Sequence, residues 1–152
     1  MSPRAAWRLE QLGFSDVYDY VAGKAAWMGC GLPIEGGRGA DDLVGSLAER
    51  SVPTCEVSEH LADVEPRFGG AEIAVVLNDD DVVMGLLRPE VFGLDPATEA
   101  GDVMQPGPST FRPSMTIEEA RDYVAQGKAP RLLITTLDGN YVGVVPVEKL
   151  AG

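Results

Sequence analysis

RLLITTLDGNYVGVVPVEKL, residues 131–150, decides the fold. Leu132, Leu133 and Ile134 form a short apolar run, and Asp138-Gly139-Asn140 is turn chemistry with a residue suited to positive φ. Tyr141 to Val147 is β-branched and aromatic, so the stretch reads as strand, tight turn, strand and the start of a short helix. Just upstream, Thr116-Ile117-Glu118-Glu119-Ala120 opens a helix. Thr116 suits the N-cap, and Glu119, three residues on, is placed to reach back to the Thr116 amide.

The same order occurs earlier. Ile73 to Leu77 is apolar, Asn78-Asp79-Asp80-Asp81 supplies a polar turn, and Val82 to Leu87 is a second strand carrying Gly85 where Gly143 sits 58 residues later. Leu61-Ala62-Asp63-Val64 answers Ile117-Glu118-Glu119-Ala120, and Thr54-Cys55 answers Thr110-Phe111, both at an offset of 56. Two half-size units of one plan is the economical reading.

These residues carry a family resemblance. Asp102-Val103-Met104, Thr110-Phe111-Arg112-Pro113, Ile117-Glu118-Glu119-Ala120 and Gly139-Asn140-Tyr141-Val142-Gly143-Val144-Val145 resemble a CBS domain, named for cystathionine β-synthase. The copy from about Ser46 to Phe92 is similar but more divergent. The resemblance implies an α+β tandem pair, with a first domain over 40–93 and a second over 94–152. Each copy is then a three-stranded sheet carrying two helices, and the copies pack sheet to sheet with a cleft on each side of a pseudo-twofold axis. Family members bind AMP, ADP, ATP or S-adenosylmethionine there and pass the occupancy to an attached enzyme, channel or transporter. Such a ligand acts through its differential affinity for two arrangements.

In the family, the second hairpin strand ends in glycine, two apolar residues, a serine or threonine for phosphate, two variable positions and an aspartate for the ribose hydroxyls. Here Gly143-Val144-Val145 is followed by Pro146, Val147, Glu148 and Lys149, and Gly85-Leu86-Leu87 by Arg88, Pro89, Glu90 and Val91. Both copies thus lack the aspartate, with Glu90 and Glu148 one residue short of its place. Arg88 and Lys149 still offer donors for a phosphate. Arg112 and Arg131, at strand entrances, add charge to either cleft, and Thr54, Cys55, Thr110 and Phe111 complete the ligand-binding set that the resemblance implies. Plainer roles stand beside these. Arg88 also reads as a solvated arginine, Lys149 as a cation on a helix dipole, and Thr54 and Thr110 as partners for backbone groups.

Composition bounds the alternatives. With 152 residues and 45% hydrophobic content, the chain has room for one or two small domains. No apolar run approaches the roughly 20 residues of a spanning helix, and no charged-then-apolar leader opens the sequence, so a cytoplasmic protein is expected. A formal net charge of −12 repels a polyphosphate backbone and argues against nucleic-acid binding. Cys30 and Cys55 have no CxxC spacing and His60 is the single histidine, so buried thiols are expected rather than a zinc site or a disulfide framework. The Asp79-Asp80-Asp81 run lacks the spacing and glycine of a calcium loop and reads as a hydrated turn. No residue is assigned catalysis, and no metal ligand is named.

Residues 1–39 differ in character. Pro3 to Leu12 reads as a helix with Gly13 as its C′ residue, Asp16 to Tyr20 as a brief strand, and Lys24 to Met28 as a further helix before a glycine-rich linker. Arg8-Leu9-Glu10-Gln11-Leu12-Gly13-Phe14, Val17-Tyr18-Asp19-Tyr20, Gly23-Lys24, Trp27 and Gly31-Leu32-Pro33-Ile34-Glu35 resemble the C-terminal end of a rhodanese domain. Neither Cys30 nor Cys55 falls in that family's active-site loop, which argues against sulfurtransferase activity. Such a piece needs a partner surface, on the CBS pair or on a second chain in a homodimer, and a start that truncates a longer domain is a third explanation.

The functional reading is a non-catalytic sensor that binds an adenosine-containing ligand between the repeats and requires no cofactor. Its alternative is a structural or protein-interaction module that dimerises and has lost nucleotide binding.

Overall fold

The computed structural model describes residues 3–18, 20, 23, 24, 27, 32, 42–127 and 131–150. Its described helices are α1 (Pro3–Gln11), α2 (Leu61–Phe68), α3 (Ala100–Val103) and α4 (Ile117–Ala125). The strands are β1 (Thr54–Glu56), β2 (Ala74–Leu77), β3 (Val83–Leu87), β4 (Gln105–Pro106), β5 (Thr110–Phe111), β6 (Arg131–Thr135) and β7 (Tyr141–Pro146).

The two hairpins form where the sequence places them, and they match residue for residue. Ile134 lies opposite Gly143, with an irregularity in register between Ile134 and Thr135, while Val76 lies opposite Gly85, with the same irregularity between Val76 and Leu77. Each turn closes through a left-handed residue. In the second hairpin it is Gly139 at φ 90°, and at the matching place in the first it is Asp81 at φ 60°. Aspartate tolerates that region better than most side chains. The Asn78 side chain supports the turn by accepting the amides of Asp80 at 3.0 Å and Val82 at 2.9 Å.

Ahead of each hairpin come a short strand and a helix. β1 runs parallel to β2 with Thr54 facing Val75, and β5 runs parallel to β6 with Thr110 facing Leu133. Parallel neighbours need a crossover, supplied by α2 and α4. The capping box forms as read: Thr116 Oγ1 accepts the Glu119 amide at 3.2 Å, and Glu119 Oε2 accepts the Thr116 amide at 2.9 Å. Val64 and Ala120, equivalent positions on the two helices, are both fully buried.

The edges of the sheets depart from expectation. The second sheet has the three strands β5-β6-β7, but the first has four, in the order β1-β2-β3-β4. The extra strand comes from the segment that leads into the second unit: Gln105 and Pro106 pair with Leu86 and Gly85. At the matching edge of the second sheet, Glu49 bridges to Val144, donating and accepting at 3.0 and 2.8 Å. The lead-in segments are therefore exchanged between the units. Ala100 of α3 is buried in the cluster with Cys55, Leu61, Val64, Phe68, Val76 and Leu87. Val44, in the short 3-10 turn Val44–Leu47, is buried with Ala120, Leu132, Ile134, Val145 and Leu150.

The two sheets meet face to face, as expected of the pair. Val75 and Leu77 of β2 pack with Leu133 of β6 and with Tyr141 and Val144 of β7. Beside this apolar layer the hairpin tips bond reciprocally, the Val83 amide to Gly139 O at 3.1 Å and the Tyr141 amide to Asp81 O at 2.8 Å.

Near the N-terminus, α1 forms as read and Gly13 follows it at φ 92°. The brief strand expected over Asp16 to Tyr20 does not form among its described residues, which have no neighbouring strand to bond. The expected helix from Lys24 to Met28, Cys30 and the glycine-rich linker fall largely or wholly outside the described residues. No described helix is long and apolar enough to cross a membrane.

Candidate ligand cleft

The end of β7 and the exchanged lead-in of β1 bound a cleft of about 280 Å³, lined by Ser51, Val52, Glu72, Arg131, Val144, Pro146 and Glu148. Val52 and Val144 also belong to the layer between the sheets, so the cleft opens at the junction of the two units. Of the ten residues read as ligand-binding, Arg131 and Glu148 come together here. Arg131 starts β6, and its guanidinium pairs with the Glu72 carboxylate, whose side chain is 76% exposed.

Glu148 and Lys149 lie on consecutive residues of the 3-10 turn Val147–Leu150 that follows β7. Three residues per turn sends neighbouring side chains in directions roughly 120° apart. Glu148 lines the cleft, whereas the Lys149 ammonium pairs with Glu49. The cleft wall thus carries a carboxylate one residue before the aspartate's place. At the serine or threonine place, Pro146 brings neither hydroxyl nor N–H to the wall.

Thr54 and Cys55 line a separate cleft of about 240 Å³ at the ends of β1 and β2, with Glu56, Glu59, Arg67, Leu77, Asn78, Asp79 and Asp81. Cys55 is a buried free thiol, as read. Burial, then the Glu59 charge, push its pKa up to about 11, against a smaller opposing pull from Arg67. A thiol so shifted is a packing group rather than a nucleophile.

The remaining five positions lie elsewhere. Arg88 donates to Gln105 Oε1 at 3.2 Å, and Glu90 is exposed in the turn that follows. Arg112 is tied to the end of β6, donating to Thr135 Oγ1 at 3.0 Å and to Thr136 O. Thr110 is exposed, and the Phe111 ring packs against Tyr123 at 4.8 Å between centroids. His60 is exposed at the N-cap of α2. Ser51, Val52 and Glu72 carry no local signal in the sequence: they belong to the first unit and reach Arg131 of the second only across the junction of the two.

Comparisons with known proteins agree with this architecture. Residues 100–151 match the model of the CBS domain. No curated protein matches the chain in sequence. Among solved structures, the cytosolic domain of the Mg2+ channel MgtE, crystallised with ATP, is similar at a TM-score of 0.65 and 19% identity over 73% of this chain. The chain spans about half of that structure, 48%. The CBS domains of a transcriptional regulator from Streptococcus pneumoniae give 0.62 and 17%, over 72% of this chain and 96% of that one. CBSX2, crystallised with AMP, gives 0.59 and 18%, over 72% and 93%. The chain thus matches the CBS domain over residues 100–151 and has the mixed α+β fold of a CBS domain pair.

Proposed function

We propose that the chain is a non-catalytic regulatory module that binds an adenosine-containing ligand in the Arg131 and Glu148 cleft. AMP, ADP, ATP and S-adenosylmethionine are the ligands in view. The observation that carries this reading is the position of Glu148 on the cleft wall, with acceptors for ribose hydroxyls, next to Arg131 as a donor. That solved structures of this fold were crystallised with ATP and AMP supports it. Arg88 and Glu90 occupy in the first unit the places of Pro146 and Glu148 in the second, and they are proposed for the twin site. Occupancy acts by holding the two units in one relative placement, because the cleft wall is drawn from both.

The alternative, a dimerising interaction module without nucleotide binding, is favoured by a different observation: Arg131 and Lys149 are both already paired within the chain. A cytoplasmic, homodimeric protein with repeat units at 40–93 and 94–152 belongs to the same proposal. So does the rhodanese-like reading of residues 1–39, which rests on α1 and its Gly13 ending, with Trp7, Leu12, Phe14 and Tyr18 exposed.

Thermal unfolding with each of the four ligands separates the readings. A bound ligand at about a hundred times its Kd stabilises the fold by roughly 2.7 kcal/mol, which raises the melting temperature by several degrees. Glu148→Ala should abolish the shift. Unshifted melting with all four ligands, and a dimer by light scattering, would establish the interaction module instead.

A further inference from the structure

The charges of the cleft carry a statement about its ligand that the fold does not. Its described lining holds two carboxylates, Glu72 and Glu148, and one guanidinium, Arg131, which Glu72 already engages. The other lining residues, Ser51, Val52, Val144 and Pro146, carry no charge, and Pro146 stands without a donor at the end of β7. Around the cleft, the Lys149 ammonium is neutralised by Glu49, and the chain as a whole bears −12.

We infer that Glu72 is the specificity-determining residue of this cleft: it acts as an internal anion on Arg131, so the cleft prefers a neutral or cationic adenosyl ligand to a nucleoside phosphate. The inference rests on the proposed adenosyl reading of the cleft and narrows it. A phosphate group must take Arg131 away from Glu72 and then face two carboxylates in place of one. Adenosine needs only the acceptors of Glu148, and the sulfonium and ammonium of S-adenosylmethionine are attracted by both acids. Glu72 is mostly exposed, so its hold on Arg131 is modest and the discrimination is correspondingly a matter of several-fold rather than of orders of magnitude.

Isothermal titration of the full chain and of Glu72→Gln with adenosine, S-adenosylmethionine, AMP and ATP at low ionic strength tests this. The wild-type chain should bind adenosine and S-adenosylmethionine more tightly than AMP, and AMP more tightly than ATP. Glu72→Gln should tighten AMP by roughly three- to tenfold while leaving adenosine within about twofold. The exposure of Glu72 predicts an unchanged melting temperature for the variant, which certifies its fold. ATP or AMP as the tightest wild-type ligand, or an AMP affinity that Glu72→Gln does not move, overturns the inference and leaves the adenosyl cleft standing. Binding of none of the four by the wild-type chain overturns the cleft reading, and the inference with it.

Discussion

A methyl group on Gly143 would lie 2.9 Å from the carbonyl oxygen of Glu49 and 3.0 Å from its carbon and nitrogen. All three are backbone atoms of the exchanged lead-in, so they yield only if the edge of the sheet moves. At Gly85 the nearest atom is the flexible Met104 Sδ at 2.6 Å, followed by Gln105 O at 2.8 Å. A Cβ at either glycine therefore meets a backbone carbonyl oxygen less than 3 Å away, and Gly143→Ala and Gly85→Ala should each cost about 1–3 kcal/mol in urea denaturation. A cost near zero at either position would mean that the lead-in beside it is held more loosely than these distances require. The pairing of the two glycines was legible as a repeat, whereas the reason for them, a second backbone crossing each strand, was not. Tyr141 illustrates the same limit. It reads as a strand aromatic, but its ring is 3% exposed, lies under Arg50 at 5.5 Å, and has a hydroxyl without a hydrogen-bond partner among the described residues. Burial raises its pKa, with a smaller opposing effect of Arg50. Removing an unsatisfied hydroxyl relieves its desolvation cost, so Tyr141→Phe should stabilise the fold by about 1 kcal/mol and raise the melting temperature. A lower melting temperature would show that the hydroxyl is satisfied in solution.

At the scale of elements, the hairpins and α4 were legible because their signals are local. Turn residues, alternation and a capping box act within a few positions of one another. The Thr116 amide and hydroxyl hydrogen-bond the Glu119 carboxylate and hold its pKa below the ordinary 4.5. A depressed carboxylate pKa gives stability that is present above the unfolded value and is lost as pH falls through the folded one. Thr116→Ala should cost roughly 1 kcal/mol at neutral pH through the lost cap, and the gap between variant and wild type should narrow without closing as the pH drops below the ordinary glutamate range, because the hydroxyl's bond to the Glu119 carboxylate is lost on protonation while its bond from the Glu119 amide is not. A gap independent of pH would mean that the Thr116 hydroxyl contributes nothing through the Glu119 carboxylate. The residues of the candidate cleft were unevenly legible for the opposite reason. Arg131 was read from its place at a strand entrance and Glu148 from its place one residue before the aspartate position, and the fold puts both on one cleft wall. Phe111 and Arg112 sit in an equally good motif, yet they are used for packing on Tyr123 and for tying down the end of β6. Which of two neighbours faces a cleft depends on the phase of a turn, and one sequence does not set that phase.

For the molecule as a whole, the exchange of lead-in segments is the feature least visible in the sequence, because a segment's hydrophobic pattern says that it is buried without saying against which sheet. It has a thermodynamic consequence. Residues 94–152 alone would lack Val44, which fills the cluster of Ala120, Leu132 and Ile134, and would lose the Glu49 partner of Val144. They would also carry α3 and β4, whose partners, Cys55, Leu61 and Leu86, belong to the other half. Losing one buried valine costs on the order of 1–3 kcal/mol, and an isolated unit of this size has only a few kcal/mol to lose. The fragment 94–152 should therefore be unfolded by circular dichroism at 25 °C, and a fragment covering 40–93 should restore structure to it on mixing. The intact chain should unfold in one transition for its paired region, since neither core cluster is complete without a segment from the other half. Two separate transitions in calorimetry, or a fragment 94–152 that folds unaided, would show that the exchanged segments are dispensable and that each repeat stands on its own core.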